Sequence, residues 1–258
     1  MFDRDRITSE SFIRYVEHHT RLESTNTLAA ELHDDLHVRS PALVLSDEQT
    51  AGRGRGRNTW WSSAGALTFT VVLDSRDWGP TPDSQQLVSL AAGLAVRNAL
   101  AADLSGHAVQ IKWPNDVLAA DRKICGILCE HHTTTRGGVF LIGIGINVNN
   151  SLSMAPDDVR LLGTSLFDLT GRSQDLTDVL ISVLNELESV CCRLREDAVE
   201  IVREVAVFDR LQGCRITVDT QTHVITGLCE GIADDGALLL RTESGVVSIH
   251  AGTVLTYV

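Results

Sequence analysis

The chain has 258 residues, 43% hydrophobic and 22% charged, with a formal net charge of −12. A chain of that length buries well over half of its unfolded surface, so it needs neither disulfides nor a metal to hold a core, and the composition excludes a disordered chain. The acidic balance, Asp+Glu 34 against Lys+Arg 22, weighs against a protein whose main task is to grip a phosphate backbone. Lys112 and Lys123 are its only lysines, and every other basic residue is an arginine. The cysteines at 125, 129, 191, 192, 214 and 229 show no C-x-x-C pair and read as reduced, mostly buried thiols of a cytosolic protein. The start, Met1-Phe2-Asp3-Arg4-Asp5-Arg6, leads into no apolar core and reads as no signal peptide, and no apolar run is long enough to cross a membrane.

In chain order, Ser24-Thr25-Asn26 offers capping side chains ahead of Leu28, Ala29 and Leu32, which predicts a helix. Residues 42–45 read as a short buried strand. Leu67, Phe69, Val71 and Leu73 alternate with Thr68, Thr70 and Val72, a strand with one wetter face. Leu87, Leu90, Ala91 and Leu94 mark an amphipathic helix to about 104, and 109–113, 124–130 and 139–146 read as strands. Glycines at 143 and 145 inside a strand point to something packed against the backbone. Asp175 caps a regular apolar period that runs to 195, and a second helical stretch continues to about 208. From 214 onward come short β runs at 214–218, 222–227, 237–241 and 246–249, with turns at Asp235-Gly236 and Ser244-Gly245. That change predicts a small barrel or sandwich and a boundary near Arg210, giving domains 1–210 and 211–258.

Three segments could carry chemistry. Gln49-Thr50-Ala51-Gly52-Arg53-Gly54-Arg55-Gly56-Arg57, followed by Trp60-Trp61, suits an anion. Glycines let backbone N–H groups approach, arginines supply forked donors, and a tryptophan can stack on a flat ring. A flexible RNA-binding segment is the bland reading, set against a short, single stretch in an acidic chain. No G-x-x-x-x-G-K-[ST] occurs, so phosphates need another device. The second segment is Lys112-Trp113-Pro114-Asn115-Asp116, with Lys123 nearby; a lysine beside an anion loop can neutralise charge that develops in a transfer. Asn115 and Asp116 serve either a turn or a ribose or magnesium contact. The third is Gly143-Ile144-Gly145-Ile146-Asn147, for which sheet packing is the default reading. The pairs His18-His19 and His131-His132 point opposite ways on a strand, so neither makes a metal site alone.

Glu23-Ser24-Thr25-Asn26, the Gln49–Arg55 stretch, Lys112-Trp113-Pro114-Asn115-Asp116-Val117, Arg122-Lys123-Ile124-Cys125-Gly126-Ile127-Leu128 and Gly143-Ile144-Gly145-Ile146-Asn147-Val148 follow one another in an order and at spacings that resemble the biotin–protein ligase family (biotin–[acetyl-CoA-carboxylase] ligase). The likeness is strong over residues 20–150. It implies an α+β fold of the class II synthetase and biotin–lipoate ligase kind, with a mixed central sheet flanked by helices and a small C-terminal SH3-like barrel. It implies that biotin and Mg2+·ATP give biotinoyl-5′-AMP, and that a lysine of a biotin carboxyl carrier protein domain then takes the acyl group.

By position, Arg53 and Lys123 match the catalytic contacts to carboxylate and α-phosphate, with Gly52 in the same loop. Ser24, Thr25 and Gln49 match the ureido contacts, and Gly126, Leu128, Gly143 and Gly145 the wall against biotin. Trp60 and Asn147 match the adenine side, Arg55, Lys112 and Asn115 the phosphates and ATP, and Asp116 a magnesium ligand. The family loop usually reads G-R-G-R-x-G-R-x-W; here the later Gly-Arg pair is displaced, so Arg57 receives no role. About twenty residues precede Glu23, too few for a helix-turn-helix, so the expectation is a single-function cytoplasmic enzyme with no DNA or membrane partner. Glycine and arginine bury little apolar surface, so the loop is expected to order on ligand binding. The alternatives are a lipoate–protein ligase or octanoyltransferase of the same fold, and a non-enzymatic anion-binding module that recruits a partner. The Gly-Arg loop, Gln49 and residues 112–116 favour biotin.

Overall fold

The computed structural model describes residues 2–78 and 85–258. In order they form α1 (Arg4–Glu10), β1 (Tyr15–His19), α2 (Thr25–Glu31), α3 (His33–Val38), β2 (Ala42–Ser46), β3 (Ala66–Asp74), α4 (Ser75–Trp78), α5 (Gln85–Ala101), β4 (Val109–Lys112), β5 (Asp116–Ala119), β6 (Arg122–Thr134) and β7 (Gly137–Asn147). Then come α6 (Asp157–Leu162), α7 (Leu166–Thr170), α8 (Leu176–Glu196), α9 (Ala198–Val207), β8 (Arg215–Asp219), β9 (Val224–Ile232), β10 (Leu238–Thr242), β11 (Gly245–Ile249) and β12 (Thr253–Tyr257). The first seven strands make one mixed sheet in the order β1-β2-β3-β7-β6-β5-β4. β1 runs parallel to β2, and every other neighbouring pair is antiparallel.

Side chains alternate across a strand, and here the alternation separates core from cleft. Leu67, Phe69, Val71 and Leu73 of β3, Phe140, Ile142, Ile144 and Ile146 of β7, and Cys125 and Ile127 of β6 all enter the main core. Helix α5 packs on that face, and α8 packs against α5. The period that predicted α8 is the reason: its apolar stripe from Val179 to Leu194 is buried, and Asp175 caps its start by accepting from Thr177 N at 2.7 Å and Asp178 N at 3.2 Å. On the other face, Val72, Val139 and Leu141 pack with Ala29 and Leu36 beneath α2 and α3. The same parity leaves Thr68, Thr70, Gly126, Leu128, Glu130, Gly143 and Gly145 beyond that small cluster.

One face of β3 was expected to be wetter, but all of β3 is buried. The threonines are satisfied from within: Thr68 Oγ1 donates to Ser46 O at 3.2 Å, and Thr70 Oγ1 lies 2.7 Å from Asn26 Oδ1. Helix α2 lies over that face, so these hydroxyls meet protein rather than water. The expected turn at residues 115–116 is met at 113–115, where a hairpin joins β4 to β5; β5 itself has four residues, too few to show a period. The same brevity hides α1, α3, α4, α6 and α7 from the sequence, none longer than 7 residues.

The last five strands form a separate antiparallel sheet, β11-β10-β9-β8-β12. Its inner side chains, among them Ile216, Val218, Leu238 and Leu240, are continuous with the main core. The linking chain is pinned to β4: Ile111 N donates to Phe208 O at 2.8 Å, and Arg210 N to Ile111 O at 2.9 Å. Trp113, fully buried, donates its Nε1 to Gly236 O at 3.2 Å. Gly236 turns at φ +84°, and a Cβ there would sit 2.9 Å from Leu87, so this turn of the predicted Asp235-Gly236 pair fits only without a side chain. The six cysteines are free thiols, with Cys125, Cys191 and Cys229 buried. Among the described residues no helix is long and apolar enough to cross a membrane.

Candidate active site

The floor of the cleft is the sheet face left uncovered by the small cluster. Register aligns Thr68, Gly145 and Gly126 in one row across β3, β7 and β6, and Thr70, Gly143 and Leu128 in the next. A Cβ on Gly143 would lie 1.8 Å from Asn26 Oδ1; one on Gly145 would lie 2.4 Å from the Trp60 indole; one on Gly126 would lie 3.1 Å from Lys123 Nζ. The sequence points to something packed on Gly143 and Gly145, and the resemblance implies biotin against these two and Gly126. In the structure the chain's own Asn26, Trp60 and Lys123 side chains stand against them.

Ser24, Thr25, Asn26 and Gln49 form a buried polar cup at one end of the cleft. Gln49 Oε1 accepts from Thr25 N at 2.6 Å, and Thr70 Oγ1 lies 2.9 Å from Thr25 Oγ1. Asn26 Nδ2 donates to Leu128 O at 3.2 Å and to Glu130 Oε2 at 2.9 Å. Ser24 stands at the N-cap of α2, yet its side chain makes no capping hydrogen bond. Its hydroxyl is therefore uncommitted to the helix.

The glycine–arginine loop forms one wall. Gly54 N donates to Asn58 O at 2.9 Å and Trp60 N to Gly52 O at 2.8 Å, which folds the segment into a narrow hairpin. Gly52 does not line the cleft; a Cβ there would meet Trp60 O at 2.5 Å, so its bareness lets the hairpin close. Arg53 makes a two-pronged pair with Glu130, Nη2 to Oε1 at 2.7 Å and Nη1 to Oε2 at 3.3 Å. Arg55 reaches across the cleft and donates to Gly252 O at 2.7 Å, and burial lowers the pKa of its guanidinium. The loop is thus tied on both sides, to Glu130 and to Gly252. Arg57 lies apart from the cleft, in an adjoining pocket with Trp60, Trp61, Asn147 and Leu162.

The two lysines converge from the opposite wall. Lys123 Nζ lies 2.5 Å from Asp116 Oδ1, and Lys112 Nζ 3.8 Å from Asp116 Oδ2. Burial pushes the Lys112 ammonium below the ordinary lysine value, against the pull of Asp116, and its Nζ stands 5.3 Å over the Tyr257 ring. Asn115 braces this corner, donating Nδ2 to Ile127 O at 2.6 Å. Gly252, Thr253 and Val254 of the C-terminal sheet close the cleft. Asp116 is already engaged by two ammonium groups, a donor set unlike a metal site. Among the described residues no group of three or more His, Cys, Asp or Glu could hold a metal ion.

The cleft brings together Ser24, Thr25, Gln49, Arg53, Arg55, Trp60, Lys112, Asn115, Asp116, Lys123, Gly126, Leu128, Gly143 and Gly145. Asn147 is not among them. It sits beyond Trp60 in the adjoining pocket, with Nδ2 donating to Thr164 O at 3.0 Å. Sequence reasoning missed Asn26 as a site residue, Glu130, and the contribution of 252–254. Glu130 carried a signal: two residues past Leu128 on one strand, it shares that face. Residues 252–254 carried none, because only the tertiary fold brings them to the loop.

By sequence, residues 19–149 match the Biotin/lipoate A/B protein ligase family and residues 212–256 match the Biotin protein ligase C terminal domain. The chain is 35% identical to a biotin–[acetyl-CoA-carboxylase] ligase of Paracoccus denitrificans, over 91% of this chain and 97% of that protein. It is 30% identical to the ligase of the same name from Mycobacterium tuberculosis, over 83% of this chain and 78% of that one. A solved biotin protein ligase from Aquifex aeolicus in complex with biotin and ATP shares the fold with a TM-score of 0.81 at 26% identity, covering 95% of this chain and 99% of that one.

Proposed function

The chain belongs to the biotin protein ligase family, and from that premise we propose how its own residues carry the reaction. It is an ATP-dependent ligase that activates biotin as biotinoyl-5′-AMP and transfers it to a lysine of a carrier domain. The observation that carries the residue assignment is one cleft in which a polar cup, two arginines and two lysines face a common floor.

In the first step a biotin carboxylate oxygen attacks the α-phosphorus and the bond to the β-phosphate oxygen breaks, releasing pyrophosphate. Two anions must approach, so the barrier is chiefly electrostatic. Lys123 and Arg53 are the groups we assign to the carboxylate and α-phosphate, because a fixed cation in a cleft stabilises charge without reorganising at the moment of reaction. Lys112 and Arg55 take the leaving phosphates, and Asn115 holds that corner in place. Ser24, Thr25 and Gln49 hold the ureido ring, whose neutral N–H and C=O groups need a few directed partners. Gly52, Gly126, Leu128, Gly143 and Gly145 let the loop and the side chains on the floor lie close enough to do so. Trp60 stacks on adenine, and the adjoining pocket with Asn147 takes the adenine edge. In the second step the carrier amine attacks the acyl carbon, the bond to AMP breaks and the amine loses a proton; here the protein contributes mainly positioning.

Magnesium enters this scheme as the counter-ion that travels with ATP, and Asp116 is assigned to orienting the two lysines rather than to holding a metal. We propose a biotin carboxyl carrier protein domain as the acceptor, a cytoplasmic site of action in keeping with six free thiols, and no DNA-binding role in keeping with the net charge of −12. We also propose a division into a catalytic unit, residues 1–210, and a small C-terminal unit, residues 211–258. The match of residues 212–256 favours biotin over a lipoate or octanoyl substrate. Biotin-dependent exchange of pyrophosphate into ATP, followed by transfer to an apo carrier domain, tests the reading. Exchange driven by lipoate or octanoate instead of biotin would overturn it.

A further inference from the structure

Arg53 does not stand alone in the cleft. Its guanidinium is held end-on by Glu130 at 2.7 and 3.3 Å, and the Arg53 side chain is 43% exposed against 23% for Glu130. Glu130 is itself fixed by Asn26 Nδ2 at 2.9 Å. Asn26 Oδ1 in turn lies 2.7 Å from Thr70 Oγ1, which is 2.9 Å from Thr25 Oγ1, and Thr25 N donates to Gln49 Oε1 at 2.6 Å. An unbroken chain of polar contacts thus runs from the cup to the arginine loop. The end-on pair uses one hydrogen from each terminal nitrogen, so Nε–H and a further N–H on each terminal nitrogen stay available to an anion.

We propose that Glu130 is a positioning residue that sets the orientation of Arg53 and couples the Arg53 wall to the ureido cup. Filling the cup fixes Thr25 and Asn26, Asn26 fixes Glu130, and Glu130 presents Arg53 to the acyl-phosphate. Glu130 touches no reacting atom; its effect is exerted through Arg53. The inference rests on the proposed adenylation reading, and it predicts that the lifetime of bound biotinoyl-5′-AMP depends on Glu130 only while Arg53 is present.

The test is a double-mutant cycle on Arg53→Ala and Glu130→Gln, with the wild type, both single variants and the double variant compared. The readouts are biotin-dependent pyrophosphate exchange, the dissociation rate of preformed intermediate, and the thermal midpoint. Glu130→Gln should release the intermediate about fivefold faster, a size in keeping with a partly exposed two-pronged ion pair. The double variant should release it no faster than Arg53→Ala alone, because Glu130 then has nothing to hold. Glu130→Asp should recover part of the lifetime. Multiplying effects in the double variant, or a Glu130→Gln lifetime equal to wild type, overturns the coupling. A drop in lifetime that follows the thermal midpoint in both single and double variants overturns it in favour of a structural role. Absence of exchange in the wild type instead counts against the ligase reading itself.

Discussion

Gly143→Ala offers the sharpest test of how the cup is built. The new methyl carbon would sit 1.8 Å from Asn26 Oδ1 and 2.7 Å from its Cγ, about 1.5 Å short of ordinary carbon–oxygen contact. Backbone movement offers little relief, because β7 is paired on both sides, with Gly143 opposite Thr70 and Leu128. The Asn26 carboxamide must therefore swing away, giving up its contacts to Leu128 O, Glu130 and Thr70. At a net worth of about 0.5–1.5 kcal/mol for each of the three contacts, the loss is about 1.5–4.5 kcal/mol. Urea unfolding measures that cost, and calorimetric titration measures biotin binding, which should weaken at least tenfold. Asn26→Ala removes the obstruction, so the pair Asn26→Ala with Gly143→Ala should be no less stable than Asn26→Ala alone, to within about 0.5 kcal/mol. A Gly143→Ala protein with native stability and native biotin affinity would refute the reasoning, as would costs that simply add in the double variant.

Lys123→Ala should slow formation of biotinoyl-5′-AMP by two orders of magnitude or more while the circular dichroism stays native, a range typical of removing one preorganised charge from such a site; a normal single-turnover rate would remove Lys123 from the mechanism. Arg55→Ala breaks the tie to Gly252 O, so amide exchange across residues 250–254 should rise and the KM for ATP should increase severalfold; unchanged exchange counts against a clasp. Asp74 is held well below the usual carboxylate range, first by Arg76 and then by His37, despite burial that opposes this. Its folded pKa is depressed, so its contribution is present above the unfolded carboxylate pKa and lost as pH falls toward the folded one. Asp74→Asn should therefore lower stability at pH 7 and flatten its decline below about pH 4, the unfolded carboxylate range; an equally steep acid limb in both proteins would show that this carboxylate does not drive it.

What could be read from the sequence follows from how far each signal reaches along the chain. The α8 stripe is local and long, so its period and its Asp175 cap are plain in the sequence. The strands of both sheets carry alternation, but alternation names two faces without saying what covers them. Thr68 and Thr70 looked solvated because their type is polar, and they are buried because α2 crosses them. Glycines 143 and 145 are legible as sites of close approach, and the resemblance adds Gly126. Only the fold shows that the approaching groups are Lys123, Trp60 and Asn26. Asn147 is assigned to the adenine side by the resemblance alone; in the structure the Trp60 indole lies over Gly145, and Asn147 lines the next pocket with Trp60.

The scarcity of lysine acquires a geometric meaning at this corner. Both lysines of the chain meet on the two oxygens of Asp116, and Arg53 and Arg55 stand across the cleft. An ammonium is a compact point charge that one carboxylate oxygen can seat, whereas a guanidinium is a planar fork that seeks two. Lys123 Nζ lies 2.5 Å from a single Asp116 oxygen, over the bare backbone of Gly126, which a compact ammonium approaches closely. Arg53 and Arg55 occupy the opposite kind of place, where reach and several donors matter: one spans to Glu130 with two nitrogens, the other to a backbone carbonyl of the far sheet. The division of labour between the cations therefore follows their contacts: each lysine sets one ammonium on one Asp116 oxygen, and each arginine spreads its donors toward the opposite partners.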